Sequence, residues 1–209
     1  MRFFIFFEFI AFFYFESAYA IRGDFYTENQ APIGPNGIVK ILKEKMPGHF
    51  ELSCTGSIIA PNIILTAAHC FDDSIYFAQV EYQGKKYIVT EVGIDSKYYK
   101  KEIIDEYWKC LLDIETFNDL AYLKVDHRFE KQDQVELLKK IEPIKKTDIF
   151  IAAGFGQRAN IAGMGEGEGV FRVSLEMQST FSDLSRIKIE NAKTGTCLGD
   201  SGGPLFQKK

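Results

Sequence analysis

The sequence predicts an all-β fold of the barrel or sandwich kind. Short runs rich in isoleucine, valine, phenylalanine and tyrosine recur along the chain, with glycine, proline and asparagine turns between them. No helical period alternates with these runs, which excludes a βαβ architecture. No segment repeats at a fixed interval.

Taken in order, residues 21–37 read as loop, because Pro32, Gly34, Pro35 and Gly37 punctuate a polar stretch. Residues 38–42 form a short apolar strand. Residues 50–60 and 63–66 form a hairpin of β-branched residues across a Pro61-Asn62 turn. Residues 67–70 follow as a short turn or helical cap. Residues 76–82 and 86–92 are strands joined across Gln83-Gly84. Residues 97–116 mix Tyr98, Tyr99, Tyr107 and Trp108 with many charges, and read as an irregular insertion with room for a helical turn. Residues 120–125 are a strand, 129–140 a charged connector, helical or extended, and 148–153 a strand. Residues 163–169 are a glycine-glutamate surface loop, and 170–178 and 186–192 are the final strands.

The 209 residues are 46% hydrophobic and 26% charged, a globular balance, with a net charge of −4. No basic stripe exists to neutralise phosphates, so no nucleic-acid partner is expected. Residues 1–20 have the form of a signal peptide. Arg2 precedes the apolar run 3–15, and Ala18-Tyr19-Ala20 is a small-x-small cleavage site. Glu8 and Glu16 weaken that run, which is also shorter than the roughly 20 residues a membrane span needs. Cleavage after Ala20 is expected, with secretion to the periplasm or the extracellular space and no stable membrane insertion afterwards. Export implies an oxidising compartment, so the four cysteines are disulfide candidates. Cys54 and Cys70 flank one apolar run and could staple a hairpin. The pairing of Cys110 and Cys197 stays open, since four cysteines allow three connectivities.

Three polar residues stand at the edges of apolar strands. His69 ends Leu65-Thr66-Ala67-Ala68-His69-Cys70. Asp119 opens Asn118-Asp119-Leu120-Ala121-Tyr122-Leu123. Ser201 lies within Gly199-Asp200-Ser201-Gly202-Gly203-Pro204-Leu205. A serine hydroxyl is a weak nucleophile until a base removes its proton, and histidine is the base suited to neutral pH. The imidazole in turn needs an anion to hold its tautomer and stabilise its charged form. Alone, each residue reads as an ordinary strand-end, turn or linker residue. Together they form a nucleophile, a base and an orienting acid.

These motifs, in this order, resemble those of the chymotrypsin-like (trypsin-type) serine peptidases, over residues 21 to about 206. The resemblance implies two six-stranded antiparallel barrels, one over about 21–135 and a second over about 136–209. It implies His69 as general base, Asp119 as its orienting acid and Ser201 as nucleophile, with the amides of Gly199 and Ser201 as the oxyanion hole. It implies a Cys54–Cys70 disulfide, and likens Ala153-Gly154-Phe155-Gly156 to the family's mid-chain turn. Ile21-Arg22-Gly23-Asp24 resembles the family's mature start, so a free Ile21 amine is expected to pair with Asp200, signal cleavage alone exposing it. Gly195 corresponds to the base of the specificity pocket. With no charge there, apolar or small side chains are expected at the cleaved position. The family carries further strands after the serine motif, whereas this sequence stops at Lys209. The second barrel is therefore expected to be incomplete, with unpaired edges.

Rival motifs are weaker. Gly154-Phe155-Gly156-Gln157-Arg158-Ala159 fits a dinucleotide pattern, but no helix pattern follows. His49, Cys54, His69 and Cys70 lack the paired spacing of a zinc site. No metal or cofactor is expected, and the only partner expected of a monomeric enzyme is a protein or peptide substrate. The sequence thus supports an exported serine endopeptidase. The alternative is a truncated, non-catalytic remnant or binding module on the same fold.

Overall fold

The computed structural model describes residues 22–208, apart from 24, 72–76, 106–109, 138–143, 146, 160–164, 167–168, 183–186, 192 and 197. The signal segment, Ile21 and Cys197 therefore lie outside the described residues. The strands are β1 (Arg22–Gly23), β2 (Phe25–Thr27), β3 (Ile38–Met46), β4 (His49–Ala60), β5 (Ile63–Thr66), β6 (Ala78–Tyr82) and β7 (Lys85–Ile94). They continue as β8 (Tyr99–Asp105), β9 (Cys110–Phe117), β10 (Ala121–Val125), β11 (Ile149–Gly154), β12 (Arg158–Ala159), β13 (Gly165–Glu166) and β14 (Arg172–Ser174). The last are β15 (Met177–Ser182), β16 (Ile187–Glu190), β17 (Thr194–Gly195) and β18 (Leu205–Lys208). Among the described residues no helix is long and apolar enough to cross a membrane.

The first unit is a closed antiparallel barrel in the order β10-β5-β4-β3-β6-β7, sealed where β7 pairs with β10. The period-2 pattern of its strands explains the closure. In β6 and β10 every second residue is buried, so Ala78, Val80 and Tyr82, and Ala121, Leu123 and Val125, point inward. Ala78, Val80, Tyr82, Leu123 and Val125 meet Val39, Ile41, Ile58 and Ile64 in one core. The turn after β6 relies on Gln83 and Gly84, both at positive φ, the conformation a two-residue hairpin needs.

The second unit is an open antiparallel sheet in the order β16-β15-β11-β14-β2, with β18 on the opposite edge of β11. Its outer strands do not meet, so this sheet remains unclosed. Its core gathers Ile151, Ala153, Phe155, Phe171 and Val173. Ile38 belongs to this core while its neighbour Val39 belongs to the barrel core. Successive strand residues face opposite sides, so the start of β3 pins the two units together. Leu52 of β4 packs against the second core as well.

The all-β, two-unit chymotrypsin-like architecture expected from the sequence is what forms, with one unit closed and the other open. Three local expectations need correction. Within 97–116, read as irregular, β8 pairs antiparallel with β9. Part of the 163–169 loop is strand, because β13 pairs with β12. Two short strands, β1 and β2, lie in the leading loop. The charged connector after Phe129, read as helical or extended, contains the 3-10 turn Lys131–Asp133.

Cys54 and Cys70 are joined, closing a 16-residue separation that holds the β4–β5 hairpin to the 3-10 turn Ala68–Phe71. Restricting a loop of that length in the unfolded chain contributes about 3 kcal/mol. The Cys54→Ala/Cys70→Ala double variant is expected to lose about that much, read from the midpoint of urea unfolding.

Candidate active site

His69 sits in the 3-10 turn that follows β5 at the rim of the closed barrel. Asp119 lies just before β10, the neighbour of β5 in the barrel, so strand pairing alone brings the two residues to the same rim. Asn118 precedes it at positive φ (50°), a conformation asparagine tolerates, and donates its side-chain amide to Lys97 O. The turn is closed further by Asp95 N–H donating to Leu120 O.

The Asp119 carboxylate grips His69 twice. Its Oδ2 is 2.6 Å from the ring Nδ1, and its Oδ1 accepts the backbone N–H of His69 at 2.8 Å. An ionised carboxylate only accepts, so Nδ1 carries the proton facing Asp119. In the neutral ring that leaves the lone pair on Nε2, the arrangement a general base requires.

Ser201 lies in a turn flanked by Gly199 (φ 91°) and Gly202 (φ 77°). Gly202 shows why side chains are excluded here. A Cβ on it would lie 2.6 Å from Thr55 O and 2.7 Å from Ala67 N, and would collide with Thr66 Oγ1. The serine turn therefore rests directly on the residues leading into His69. Thr55, fully buried on β4, holds the turn in place. Its N–H donates to Ser201 O at 2.9 Å, and its Oγ1 donates to Gly199 O at 2.7 Å. The same Oγ1 accepts Phe155 N–H at 3.1 Å, linking the barrel to the second sheet.

Asp200 is buried and its Oδ1 accepts Gly156 N–H at 2.8 Å. A Cβ on Gly156 would lie 2.7 Å from that carboxylate and 2.7 Å from Leu198 O, so the turn after β11 must be bare for Asp200 to enter. Gly156 O accepts from the buried Arg172 at 2.9 Å, and Gln157 N–H donates to Leu198 O at 2.9 Å. Gly195 lies in β17, opposite Arg22 of β1. Beside the serine turn is a cavity of about 320 Å³, lined by Ala152, Ala153, Ile189, Thr196, Ser201 and Pro204 among others.

The fold thus joins His69 to Asp119 and seats the Ser201 turn against the same strand end. Cys54, His69 and Cys70 place ligand-type atoms within 4.8 Å of one another. The two sulfurs are bonded to each other, so no thiolate is available to a metal. Sequence reasoning missed Thr55 and Arg172. Arg172 stands out locally as a charge beside Val170, Phe171 and Val173, whereas Thr55, between Cys54 and Gly56, offered no local signal.

Two β units, one a closed six-stranded barrel, with the histidine, aspartate and serine motifs at their junction, follow the chymotrypsin-like plan, and the second unit departs from it by staying open. The family model described as Trypsin matches residues 37–209. The chain belongs to the trypsin family. It is 26% identical over 166 residues to granzyme-like protein 2 of Rattus norvegicus, covering 73% of this chain and 63% of that protein. It is 27% identical over 179 residues to the vitellin-degrading protease of Bombyx mori, covering 75% and 63%. It is 28% identical over 169 residues to mast cell protease 8 of Mus musculus, covering 73% and 63%. The chain thus spans less than two thirds of the length of these relatives.

Proposed function

We propose that this protein is an exported serine endopeptidase that hydrolyses peptide bonds through an acyl-enzyme. Ser201 Oγ attacks the substrate carbonyl carbon while its proton passes to His69 Nε2. The resulting oxyanion is stabilised by the amides of Gly199 and Ser201. The tetrahedral species collapses, the C–N bond breaks, and the departing amine takes the proton from His69. Water then attacks the ester, again giving its proton to His69, and the acid product leaves Ser201. Asp119 remains ionised throughout and steadies the imidazolium.

The observation that carries this reading is the double grip of Asp119 on His69 beside a bare serine turn. A fluorophosphonate probe tests it. The wild-type chain is expected to be labelled on Ser201 and the Ser201→Ala variant is not. Absence of labelling in the folded wild-type chain would support the second reading, a non-catalytic binding module, which the unclosed second sheet favours.

Two finer expectations belong to the same proposal. Cleavage should follow apolar or small side chains, because Gly195 brings no charge to the pocket base. A peptide library cut after Arg or Lys, with no cleavage after Leu or Phe, would refute that preference. Signal cleavage after Ala20 would free the Ile21 amine to pair with the buried Asp200. Amino-terminal sequencing of the secreted protein should read Ile21-Arg22-Gly23, and any other start would exclude that activation route.

A further inference from the structure

We infer that Arg172 acts as a positioning residue that strengthens the Gly199 N–H as an oxyanion donor, through a hydrogen-bonded chain of two peptide groups. The inference rests on the peptidase reading, in which the Gly199 amide faces the oxyanion. The chain begins at the guanidinium. Arg172 Nη1 donates to Gly156 O at 2.9 Å. Gly156 O and Gln157 N belong to one peptide group, and Gln157 N–H donates to Leu198 O at 2.9 Å. Leu198 O and Gly199 N belong to the next peptide group.

None of these peptides is cis. In a planar trans peptide the C=O and N–H point in opposite directions. The two groups therefore line up head to tail, with a cation at one end and the Gly199 N–H at the other. Each hydrogen bond in such a chain polarises the next, and a charge at its head adds to the effect. Arg172 is only 6% exposed, so water does little to screen it. Contacts to Val170 O at 3.4 Å and to the face of Phe25 at 5.4 Å help hold the guanidinium at the head of the chain. Asp200 does not interrupt the alignment. Its carboxylate accepts the Gly156 N–H, which belongs to the preceding peptide group.

Bearing a positive charge at Gly156 O thus biases the last donor of the chain toward an anion. It also fixes the direction of that donor, because turning the Leu198–Gly199 peptide would break the bond to Gln157. The contribution is largest when the oxyanion forms, so it falls on kcat and not on KM.

The test compares Arg172→Gln, which can keep a donor to Gly156 O without the charge, with Arg172→Lys, which keeps the charge. Gly199 is followed by NMR in protein labelled with 15N-glycine, and the other glycine resonances report whether each variant is folded. In Arg172→Gln the Gly199 amide proton is expected to move upfield. The kcat on a peptide ester should fall roughly tenfold with KM within about twofold, a fraction of the loss from deleting an oxyanion donor. Arg172→Lys should restore most of both. An unmoved Gly199 resonance in folded Arg172→Gln, or equal losses in the two variants, would overturn the inference. Failure of the wild-type chain to react with the phosphonate probe would overturn the peptidase reading instead, while the Gly199 resonance would still decide the role of Arg172.

Discussion

Replacing Asp119 by asparagine is expected to lower kcat by about 10⁴-fold while leaving the fold intact, the scale of loss this change brings in a Ser-His-Asp triad. The amide has nearly the shape of the carboxylate, so the turn around Asn118 and Asp95 should persist. What changes is the donor pattern. The carboxylate accepts from both the His69 backbone N–H and the ring Nδ1, at 2.8 and 2.6 Å. An asparagine has only one oxygen. If that oxygen keeps the backbone N–H, the NH₂ faces Nδ1, and the ring must turn its lone pair toward it. Nε2 then carries the proton and cannot take one from Ser201. Steady-state kinetics on a peptide ester, with circular dichroism as the control for folding, measures this. Near-normal kcat in Asp119→Asn would remove Asp119 from the mechanism.

The second large effect is expected at Gly202. Gly202→Ala should destabilise the protein by roughly 3 kcal/mol, combining a left-handed backbone penalty of about 1–2 kcal/mol with overpacking of about 1–3 kcal/mol. The added methyl would press on Thr55 O and Ala67 N, both of them backbone atoms that cannot rotate aside. The serine turn would then lift from the strand end that leads into His69. Calorimetry should show a melting temperature lower by about 10 °C. Phosphonate labelling should drop even at temperatures where the variant is folded. A variant with wild-type melting and labelling would show that the turn is seated more loosely than its geometry implies.

The histidine, aspartate and serine motifs were legible in the sequence because each is local. A histidine after a β-branched strand, an aspartate before an apolar one and a serine in a glycine-rich turn can each be read within about seven residues. The hairpin β4–β5 was legible for the same reason, its turn residues being Pro61-Asn62. The β8–β9 hairpin was not. Its alternation breaks at Ile103-Ile104, where the pairing register shifts, and a bulge of this kind hides the period-2 signal. Strands β1 and β2 are two and three residues long, too short to carry any period. Thr55 and Arg172 escaped notice on other grounds. The bond from Thr55 Oγ1 to Gly199 O spans 144 residues, and the partner is a backbone atom that any residue type would supply. No side-chain pattern encodes such a contact, so only the fold reveals it.

One feature of the architecture bears on how this protein would wear out. His69 and Asp119 belong to the closed barrel, whereas Ser201 belongs to a turn that leads into β18 of the open sheet. A barrel has no free edge from which to fray, and an open sheet has several. Heat or denaturant should therefore part Ser201 from His69, the nucleophile and base of the proposed mechanism, while the barrel is still whole. Catalytic failure would then come before any visible melting, and the working lifetime would be governed by the weaker half of the molecule.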